Sequence, residues 1–569
     1  MQNNFTRLIK EILSYKKNAF IIILTVITTS IIAMIGPYLI GIGTDSIIGR
    51  KIYALIIIGS LYLFLYVVNY FAANKRTKYT MNTSQEVIKQ LRSRAFKNLQ
   101  YVPFAFYSER SSGRIISRIT NDAETLSEFL TFQVPQVAAG IMGIIASLII
   151  MLYLDYMLAL YAILIIPLLL LTIFTMNRKI KFNFINVRRR IAELTGNVGE
   201  SINGIKAIKT TGSESRFINS FRTVNSNNYQ ANVRAVRLTS IFSSIVEIIE
   251  GLGIALVLYE GAIQVFSGII TIGIVVAFIV YVQSFFTPIV QLSQFYNSYQ
   301  ASSIAVSRIY ELIDEKSESN KYVYDHITFN DKLTFSSVDF SYSKKNVISN
   351  LNFEIKKGEK IALIGKTGAG KTTITNLMLK LYYPNHGHIY MDNIDINDIR
   401  TSSYRKLFGV ILQEPLLFEG TIMENIKFYN YEITEEMIKN KISEMNLNEI
   451  FNNIDLNSQS GERGSNLSEG QRQSISILRA VITDPDIIIM DEATSQLDYI
   501  NENNIQNAIR DLMKNKTIIV IAHHIRTILN MDRIFYIDNG KIIEEGAPLS
   551  LIKNGGYFYD LYMKNRSLL

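Results

Sequence analysis

Cysteine is absent from the 569 residues, and charged residues are scarce. Without cysteine the protein forms no disulfide, no thiolate metal site and no cysteine nucleophile. Asp, Glu, Lys and Arg make up 19% of the chain, and 48% of it is hydrophobic. A soluble chain is usually nearer a quarter charged. These figures exclude disorder and low-complexity scaffolds, and they indicate a membrane protein.

Long apolar runs are confined to the first half of the chain. Each is close to or above the roughly 20 residues that cross the hydrocarbon core of a bilayer. The first run is too long for a cleavable signal and lacks a small-residue cleavage site. The sequence therefore predicts an α-helical transmembrane domain in residues 1–312, with six spans near 19–42, 52–73, 129–154, 156–177, 238–259 and 269–290.

Basic residues cluster in two long connections, between spans 2 and 3 and between spans 4 and 5. They include Arg92, Arg94 and 188–190. The positive-inside rule places both connections and both termini in the cytoplasm, in a multi-pass protein of the cell membrane. The same clusters account for the net charge of +9 without a nucleic-acid partner. We expect each connection to be two long helices, with turns near Ser112–Arg114 and Asn203–Lys206.

The second half of the chain has a different pattern. Residues 313–327 are polar and are predicted to be a linker. From Leu333 onwards, short apolar strands alternate with polar helices and turns, which predicts an α/β domain over residues 328–569.

A glycine-rich segment in this domain has the P-loop pattern G-x-x-x-x-G-K-[ST] between a strand and a helix. In such a loop the backbone N–H groups face phosphate oxygens, and the lysine neutralises the β- and γ-phosphates. Lys371 is that lysine here, and Thr372 is expected to ligate Mg²⁺. The predicted nucleotide-binding residues of the loop are Gly365, Lys366, Thr367, Gly368, Ala369, Gly370, Lys371, Thr372 and Thr373.

Two carboxylates follow a second apolar strand, at Asp491 and Glu492. Asp491 is placed to hold Mg²⁺, and Glu492 to polarise the water that attacks the γ-phosphate. On its own, this pair is equally typical of a buried strand that ends in acidic residues.

Between these motifs, Leu467-Ser468-Glu469-Gly470-Gln471 opens a helix, and here the chain resembles the ATP-binding cassette (ABC) family. Six spans with two long inner connections, followed by one cassette, are similar to an ABC exporter half-transporter. That family combines a helical transmembrane domain with an α/β P-loop NTPase domain. Its ATPase uses ATP and Mg²⁺.

The resemblance implies further site residues. Tyr342 stands where the family stacks an aromatic ring on adenine, and Gln413 is similar to the glutamine that contacts Mg²⁺ and the γ-phosphate. His523 resembles the switch histidine that acts with Glu492 in catalysis. The residues that resemble those meeting the nucleotide across a dimer are Ser468, Gly470, Gln471 and Asp498.

One position departs from the family pattern. The signature is usually Leu-Ser-Gly-Gly-Gln, and here its third residue is Glu469. Altered signatures occur in one half of heterodimeric exporters, whereas this chain keeps Glu492 and His523. The sequence is therefore compatible with two partners, a second copy of this chain or a different half-transporter.

Glu247 and Glu250 lie one turn apart within the fifth span. Carboxylates inside a membrane are costly and usually face an interior cavity. They are candidates for contact with a polar or cationic substrate, with pairing to a neighbouring span as the alternative. Gln283, Gln291 and Gln294 of the sixth span are candidates for the same cavity.

The resemblance predicts ATP-driven export of an amphipathic small-molecule, lipid-like or peptide substrate by a dimer embedded in membrane lipid. The alternative is a nucleotide-gated channel or membrane regulator that uses cassette dimerisation without pumping. A soluble DNA-repair or translation ATPase is excluded because six spans precede the cassette. A leader-peptidase domain is not expected, since 18 residues precede the first span.

Overall fold

The structure is a computed structural model. It describes residues 2–318, 322–342, 345–451, 454–491, 516–522 and 525–565. The chain divides into two compact units, one formed by Met1–Gln100 with Ser111–Glu315 and the other by Tyr101–Arg110 with Lys316–Leu569. A short segment of the first half thus folds with the second half.

Long helices dominate the first 314 residues. Within residues 112–154 two turns widen to π-helical hydrogen bonding, at Arg118–Asp122 and Phe129–Gln133. In chain order the helices are α1 (Gln2–Ser14), α2 (Lys16–Ile48), α3 (Ile52–Leu99), α4 (Phe104–Glu109), α5 (Ser112–Leu154), α6 (Tyr156–Asn203), α7 (Ile205–Thr211), α8 (Glu214–Phe266) and α9 (Ile272–Asp314).

Within the described residues, six of these helices are long and apolar enough to cross a membrane: α2, α3, α5, α6, α8 and α9. The prediction of six long apolar helices is confirmed. Inside a bilayer the hydrophobic effect does not drive helices together. Close packing and interhelical hydrogen bonds must therefore hold them. The Tyr281 hydroxyl donates to the Met34 backbone carbonyl at 2.7 Å, and Phe278 and Val257 are fully buried.

The membrane-distal ends of this unit share a second apolar core, which α1 joins through Leu8. Polar contacts fix α1 against α3 and α9. The Arg94 guanidinium donates to the Glu11 carboxylate at 2.7 Å, and the Tyr310 hydroxyl donates to the same carboxylate at 2.9 Å. The ends of the long helices therefore form one packed body with the amino-terminal helix.

Two sheets form the framework of the other unit. The first is antiparallel, with strand order β2-β1-β4-β5. The second has the order β10-β9-β3-β8-β7-β6, and its strands are parallel except β10. The strands are β1 (Lys332–Tyr342), β2 (Lys345–Lys356), β3 (Lys360–Gly365), β4 (His386–Met391), β5 (Ile394–Asp395), β6 (Phe408–Ile411), β7 (Ile487–Asp491), β8 (Thr517–Ile521), β9 (Arg533–Asp538) and β10 (Lys541–Gly546).

The parallel sheet is covered on both faces, by helices on one and by the antiparallel sheet together with the helix after β3 on the other. Most residues of its interior strands are therefore buried. In β7, Ile487 and Ile488 have no exposed surface, as expected for a strand that is covered on two faces. The helices are α10 (Lys371–Met378), α11 (Thr401–Arg405), α12 (Ile422–Lys427), α13 (Glu435–Glu444), α14 (Asn448–Phe451), α15 (Glu469–Val481), α16 (Ile525–Leu529), α17 (Pro548–Asn554) and α18 (Tyr557–Asn565).

Candidate nucleotide-binding site

The glycine-rich loop lies between β3 and α10, at the carboxyl end of the parallel sheet. Its glycines adopt positive φ angles of 145° at Gly365, 82° at Gly368 and 111° at Gly370. A Cβ at Gly365 would overlap the Ile537 carbonyl oxygen, and one at Gly370 would lie 2.8 Å from Ile348 Cδ1. Only glycine lets the backbone make this turn so close to its neighbours.

Beside this loop lies an open cavity of about 640 Å³. It brings together residues from five separate parts of the sequence, so the convergence is a property of the fold. The residues that line it are Tyr342, Val347, Thr367, Gly368, Gly370, Lys371, Thr372, Thr373, Gln413, Asp491 and Ile521. Gly365, Lys366 and Ala369 belong to the same loop but are not among the residues that line the cavity.

Lys371 is held by the backbone at the start of the loop. Its side chain is 7% exposed, and its ammonium donates to the carbonyls of Gly365 at 2.7 Å and Lys366 at 3.1 Å. A buried ammonium needs such acceptors, because charge in a protein interior is costly without them. The positive charge is thereby fixed at the first turn of α10, where the backbone N–H groups also favour an anion.

The donors around the cavity suit Mg²⁺. A threonine hydroxyl, an amide carbonyl and a carboxylate converge there, from Thr372, Gln413 and Asp491. Magnesium prefers such oxygen ligands and is usually held by few protein groups together with phosphates and water. Within the described residues, no group of three or more His, Cys, Asp or Glu side chains is arranged as a metal site. The donor set therefore fits a magnesium ion that binds with a nucleotide.

The far end of α10 is anchored by hydrogen bonds to backbone carbonyls. The Tyr404 hydroxyl donates to the Met378 carbonyl at 2.7 Å, and Arg405 donates to those of Leu379 and Lys380 at 3.1 and 2.8 Å. Lys380 is 3% exposed, and its ammonium donates to the carbonyls of Ile396 and Ile399, each at 2.7 Å. Desolvation by burial, with the nearby Arg405 charge, lowers the pKa of Lys380 to about 8.

The predicted signature lies at the start of α15, and this helix begins with a complete capping box. The Ser468 hydroxyl accepts from the Gln471 backbone N–H at 3.3 Å, and the Gln471 side-chain oxygen accepts from the Ser468 N–H at 2.9 Å. Glu469 is exposed in the first turn, where a carboxylate stabilises the helix dipole, and Gly470 is buried. None of these residues is among those that line the cavity of this chain.

Three predicted site residues lie outside the described residues: Glu492, Asp498 and His523. Their neighbours are described. Asp491 pairs with Ile521 in adjacent parallel strands, and both line the cavity. In the sequence, Glu492 directly follows Asp491, and His523 comes two residues after Ile521.

The segment Tyr101–Arg110 folds with the cassette unit, which the sequence did not predict. The turn predicted nearby, at Ser112–Arg114, belongs to the helical unit. In the segment, Ala105 packs against the cassette core, and the Tyr101 carbonyl accepts from the Glu318 N–H at 2.7 Å. The aromatic cluster Tyr-Val-Pro-Phe-Ala-Phe-Tyr, at 101–107 within a polar connection, is the signal that could have indicated it.

Comparisons with known proteins agree with this architecture. Residues 19–289 match the family model of the ABC transporter transmembrane region, and residues 348–495 match that of the ABC transporter. The chain is 33% identical over 565 residues to the uncharacterized ABC transporter ATP-binding protein YknV of Bacillus subtilis, covering 98% of this chain and 93% of the relative.

The chain is also 31% identical over 483 residues to a fatty acid ABC transporter ATP-binding/permease protein of Mycobacterium bovis, covering 84% of this chain and 76% of the relative. Among solved structures, a bacterial Atm1-family ABC exporter with ATP bound has a TM-score of 0.80 at 22% identity, covering 97% of this chain and 98% of that one. The predicted fold class, a six-helix transmembrane domain with an ABC-type α/β domain, is confirmed.

Proposed function

The chain belongs to the ABC transporter family, in the exporter group that joins a transmembrane region and an ATP-hydrolysing cassette in one polypeptide, and we propose that it works as one half of a dimer that exports an amphipathic substrate. One observation carries the proposal: a single cavity collects Tyr342, the P-loop, Gln413 and Asp491 in a chain with six apolar helices. The cassette binds ATP, and its hydrolysis is coupled to transport.

Different residues around the cavity are proposed to bind the adenine, the phosphates and Mg²⁺. We propose that adenine stacks on Tyr342, while the loop N–H groups and Lys371 bind the phosphates. The residues Thr372, Gln413 and Asp491 would hold Mg²⁺, which neutralises charge on the phosphates when bound. The Lys371 ammonium already lies at the loop, where ATP binding would exchange the carbonyls of Gly365 and Lys366 for phosphate oxygens.

Hydrolysis needs a base and a charge-stabilising group near the γ-phosphate. Glu492 is proposed to orient and polarise the attacking water, and His523 to contact the γ-phosphate as the bond to the leaving group breaks. Both follow strands that end at the cavity, since Asp491 and Ile521 line it. Asp498 is proposed to act at the dimer contact, as in the family motif it resembles.

The second half-transporter is proposed because one chain does not complete the site. The motif residues Ser468, Gly470 and Gln471 are not among the residues that line the cavity of their own chain. In a dimer they would face the nucleotide of the other chain. Whether that chain is a second copy is the question that Glu469 raises.

The substrate is proposed to be amphipathic: lipid-like, peptide-like or a small molecule. The M. bovis relative is named as a fatty acid transporter, which favours a molecule with a long apolar part. The protein is a multi-pass membrane protein with a cytoplasmic nucleotide-binding domain. We propose the cell membrane as its location and the cytoplasm for both termini, from the basic connections after α3 and α6.

The test is the ATPase rate of the purified chain in lipid vesicles, beside Glu492→Gln. Activity in the wild type that is lost in the variant supports hydrolysis by a homodimer. No activity in a well-folded wild-type sample contradicts the homodimer and leaves a different second chain, to be found by co-expression. For export, inside-out vesicles are offered a labelled fatty acid, amphipathic peptide or lipophilic dye. ATP-dependent uptake of none of the three, by active protein, would contradict the substrate class.

A further inference from the structure

Three aromatic rings connect α4 to the nucleotide cavity. The ring of Phe104, in α4, meets that of Tyr382 edge to face, with centroids 5.8 Å apart and planes at 88°. Tyr382 meets Tyr342 in the same way, at 5.0 Å and 89°. Tyr342 lines the cavity. Phe104, Tyr382 and Tyr342, here called the ring chain, therefore form an unbroken series of contacts within the cassette unit.

The middle ring has little freedom to move alone. Tyr382 is 8% exposed and also touches Phe340, whose ring centroid is 5.5 Å away. Phe340 in turn contacts Tyr342 at 4.8 Å and 88°. Close-packed interiors transmit displacements because there is no free volume to absorb them. A change in the angle of the Tyr342 ring must therefore move Tyr382.

The backbone beneath the middle ring is fixed. The carbonyls of Leu379 and Lys380 are held by Arg405, which also pairs with the Glu318 carboxylate at 3.0 and 3.2 Å. The Glu318 N–H donates to the Tyr101 carbonyl, three residues before α4 begins. Arg405 and Glu318 thus tie the backbone that precedes Tyr382 to the backbone that precedes α4.

The outer ring is partly exposed. Phe104 is 42% exposed, and it lies at the start of α4, which has six residues. In the sequence α4 connects α3 to α5, two of the six long apolar helices. The position of α4 is therefore linked to both helices through the continuous backbone.

We propose that Tyr382 is a positioning residue that couples adenine binding at Tyr342 to the position of α4. Stacking of the base orders the Tyr342 ring, Tyr382 follows, and Phe104 moves α4. The inference rests on the proposed function, because Tyr342 must be the adenine contact. It adds a path for the base, separate from Gln413, which is proposed to bind Mg²⁺.

The chain contains no tryptophan, so a single substitution gives a fluorescence probe without background. Phe104→Trp keeps an aromatic ring at a partly exposed site, and Tyr431→Trp, at a residue 91% exposed, is the matched control. Both full-length proteins are titrated in lipid with Mg-ADP and with Mg-pyrophosphate. Pyrophosphate occupies the phosphate positions without a base, and ADP avoids the rearrangement that ATP-driven dimerisation would add.

We expect Mg-ADP to shift the emission of Trp at position 104 and Mg-pyrophosphate to leave it unchanged. Adding Tyr382→Leu should abolish most of the shift, because it removes the ring between positions 104 and 342. The ADP affinity measured by equilibrium dialysis should change less than about tenfold, the range that one aromatic pair represents. Tyr382→Phe keeps the ring and should restore the response. The control at position 431 should stay silent.

An equal response to pyrophosphate, or a full response in the Tyr382→Leu protein, would overturn the ring chain as the path. If ADP fails to bind the wild type in dialysis, the nucleotide site itself is wrong and the inference fails with it. Hydrogen exchange of residues 101–110 gives a second measurement on the unlabelled chain. Mg-ADP should slow exchange there in the wild type and in Tyr382→Phe but not in Phe104→Leu, whose exposed position tolerates the change, and equal slowing in Phe104→Leu would also overturn the proposal.

Discussion

Gly41 of α2 and Gly273 of α9 pass so close to each other that neither has space for a side chain. A Cβ on either residue would overlap the carbonyl oxygen of the other. The Asp45 carboxylate, one turn further along α2, accepts from the Gly273 N–H at 2.8 Å and from the Thr271 hydroxyl at 2.6 Å. Small residues at a helix crossing, with a polar clasp beside them, are the typical means of holding membrane helices together.

Gly273→Ala should therefore destabilise the helical unit, by about 1–3 kcal/mol or more, since the methyl group meets backbone atoms that cannot rotate away. The matched control is Gly59→Ala in α3, where a Cβ meets nothing within 4 Å. There alanine should be neutral or stabilising by about 0.5–1 kcal/mol because it favours the helix. Thermal unfolding of the purified full-length proteins in detergent measures both, and equal melting of the two variants would show that the crossing is looser than described.

Lys380 predicts a dependence of cassette stability on pH. Burial lowers its pKa from 10.5 in the unfolded chain to about 8 in the fold. Between about pH 8 and 10.5 the unfolded chain binds the proton more strongly, so stability from this group rises with pH across that window and is lowest below it. Lys380→Met removes the titration along with two hydrogen bonds.

The measurement is the difference in urea resistance between wild type and Lys380→Met, followed by hydrogen exchange of cassette peptides at pH 7.5 and 10. The wild type should gain on the variant at the higher pH. Comparing the two proteins at each pH cancels the other titrating groups. A difference that stays constant, or shrinks at pH 10, would show that Lys380 titrates near its ordinary value.

Glu469 should weaken the interaction with ATP in a homodimer. Its carboxylate is exposed in the first turn of α15, at the motif that is proposed to face the γ-phosphate of the other chain. Two negative groups near one another repel, so Glu469→Gln, which keeps the shape, should lower the KM for ATP several-fold. Glu436→Gln changes an equally exposed first-turn glutamate of α13 and serves as the control. If both variants have the wild-type KM, the Glu469 side chain points away from the nucleotide.

Glu247 and Glu250 should favour cationic molecules. Glu247 is exposed and Glu250 half-buried on α8, and the part of the chain that the structure describes shows no hydrogen bond or ion pair to either. Unpaired carboxylates within a span require a polar cavity or a counter-ion. Tetraphenylphosphonium should therefore stimulate the ATPase of the wild type and stimulate the double variant Glu247→Gln, Glu250→Gln less. Equal stimulation of both proteins would assign the pair a structural role.

Structural features that depend only on neighbouring residues in the chain could be predicted from the sequence. The six apolar runs each become a helix because the bilayer demands one, and the P-loop glycines stand between a strand and a helix as the motif requires. The contact of Phe104 with Tyr382 could not be predicted, because the two residues are far apart in the chain. It forms because the segment Tyr101–Arg110 folds with the cassette unit. From the sequence alone Lys380 is expected at the surface. Its burial depends on tertiary structure, which brings the carbonyls of Ile396 and Ile399 to its ammonium.

The membership of Tyr101–Arg110 in the cassette unit has a consequence for biosynthesis. The ribosome makes this segment early, and then makes all of Ser111–Glu315 before the rest of the cassette begins at Lys316. Until then Phe104 and Ala105 have no apolar surface of their own unit to cover them. The cassette unit is consequently completed by a segment that was synthesised long before the rest of it, and a fragment that begins at Lys316 would lack those residues.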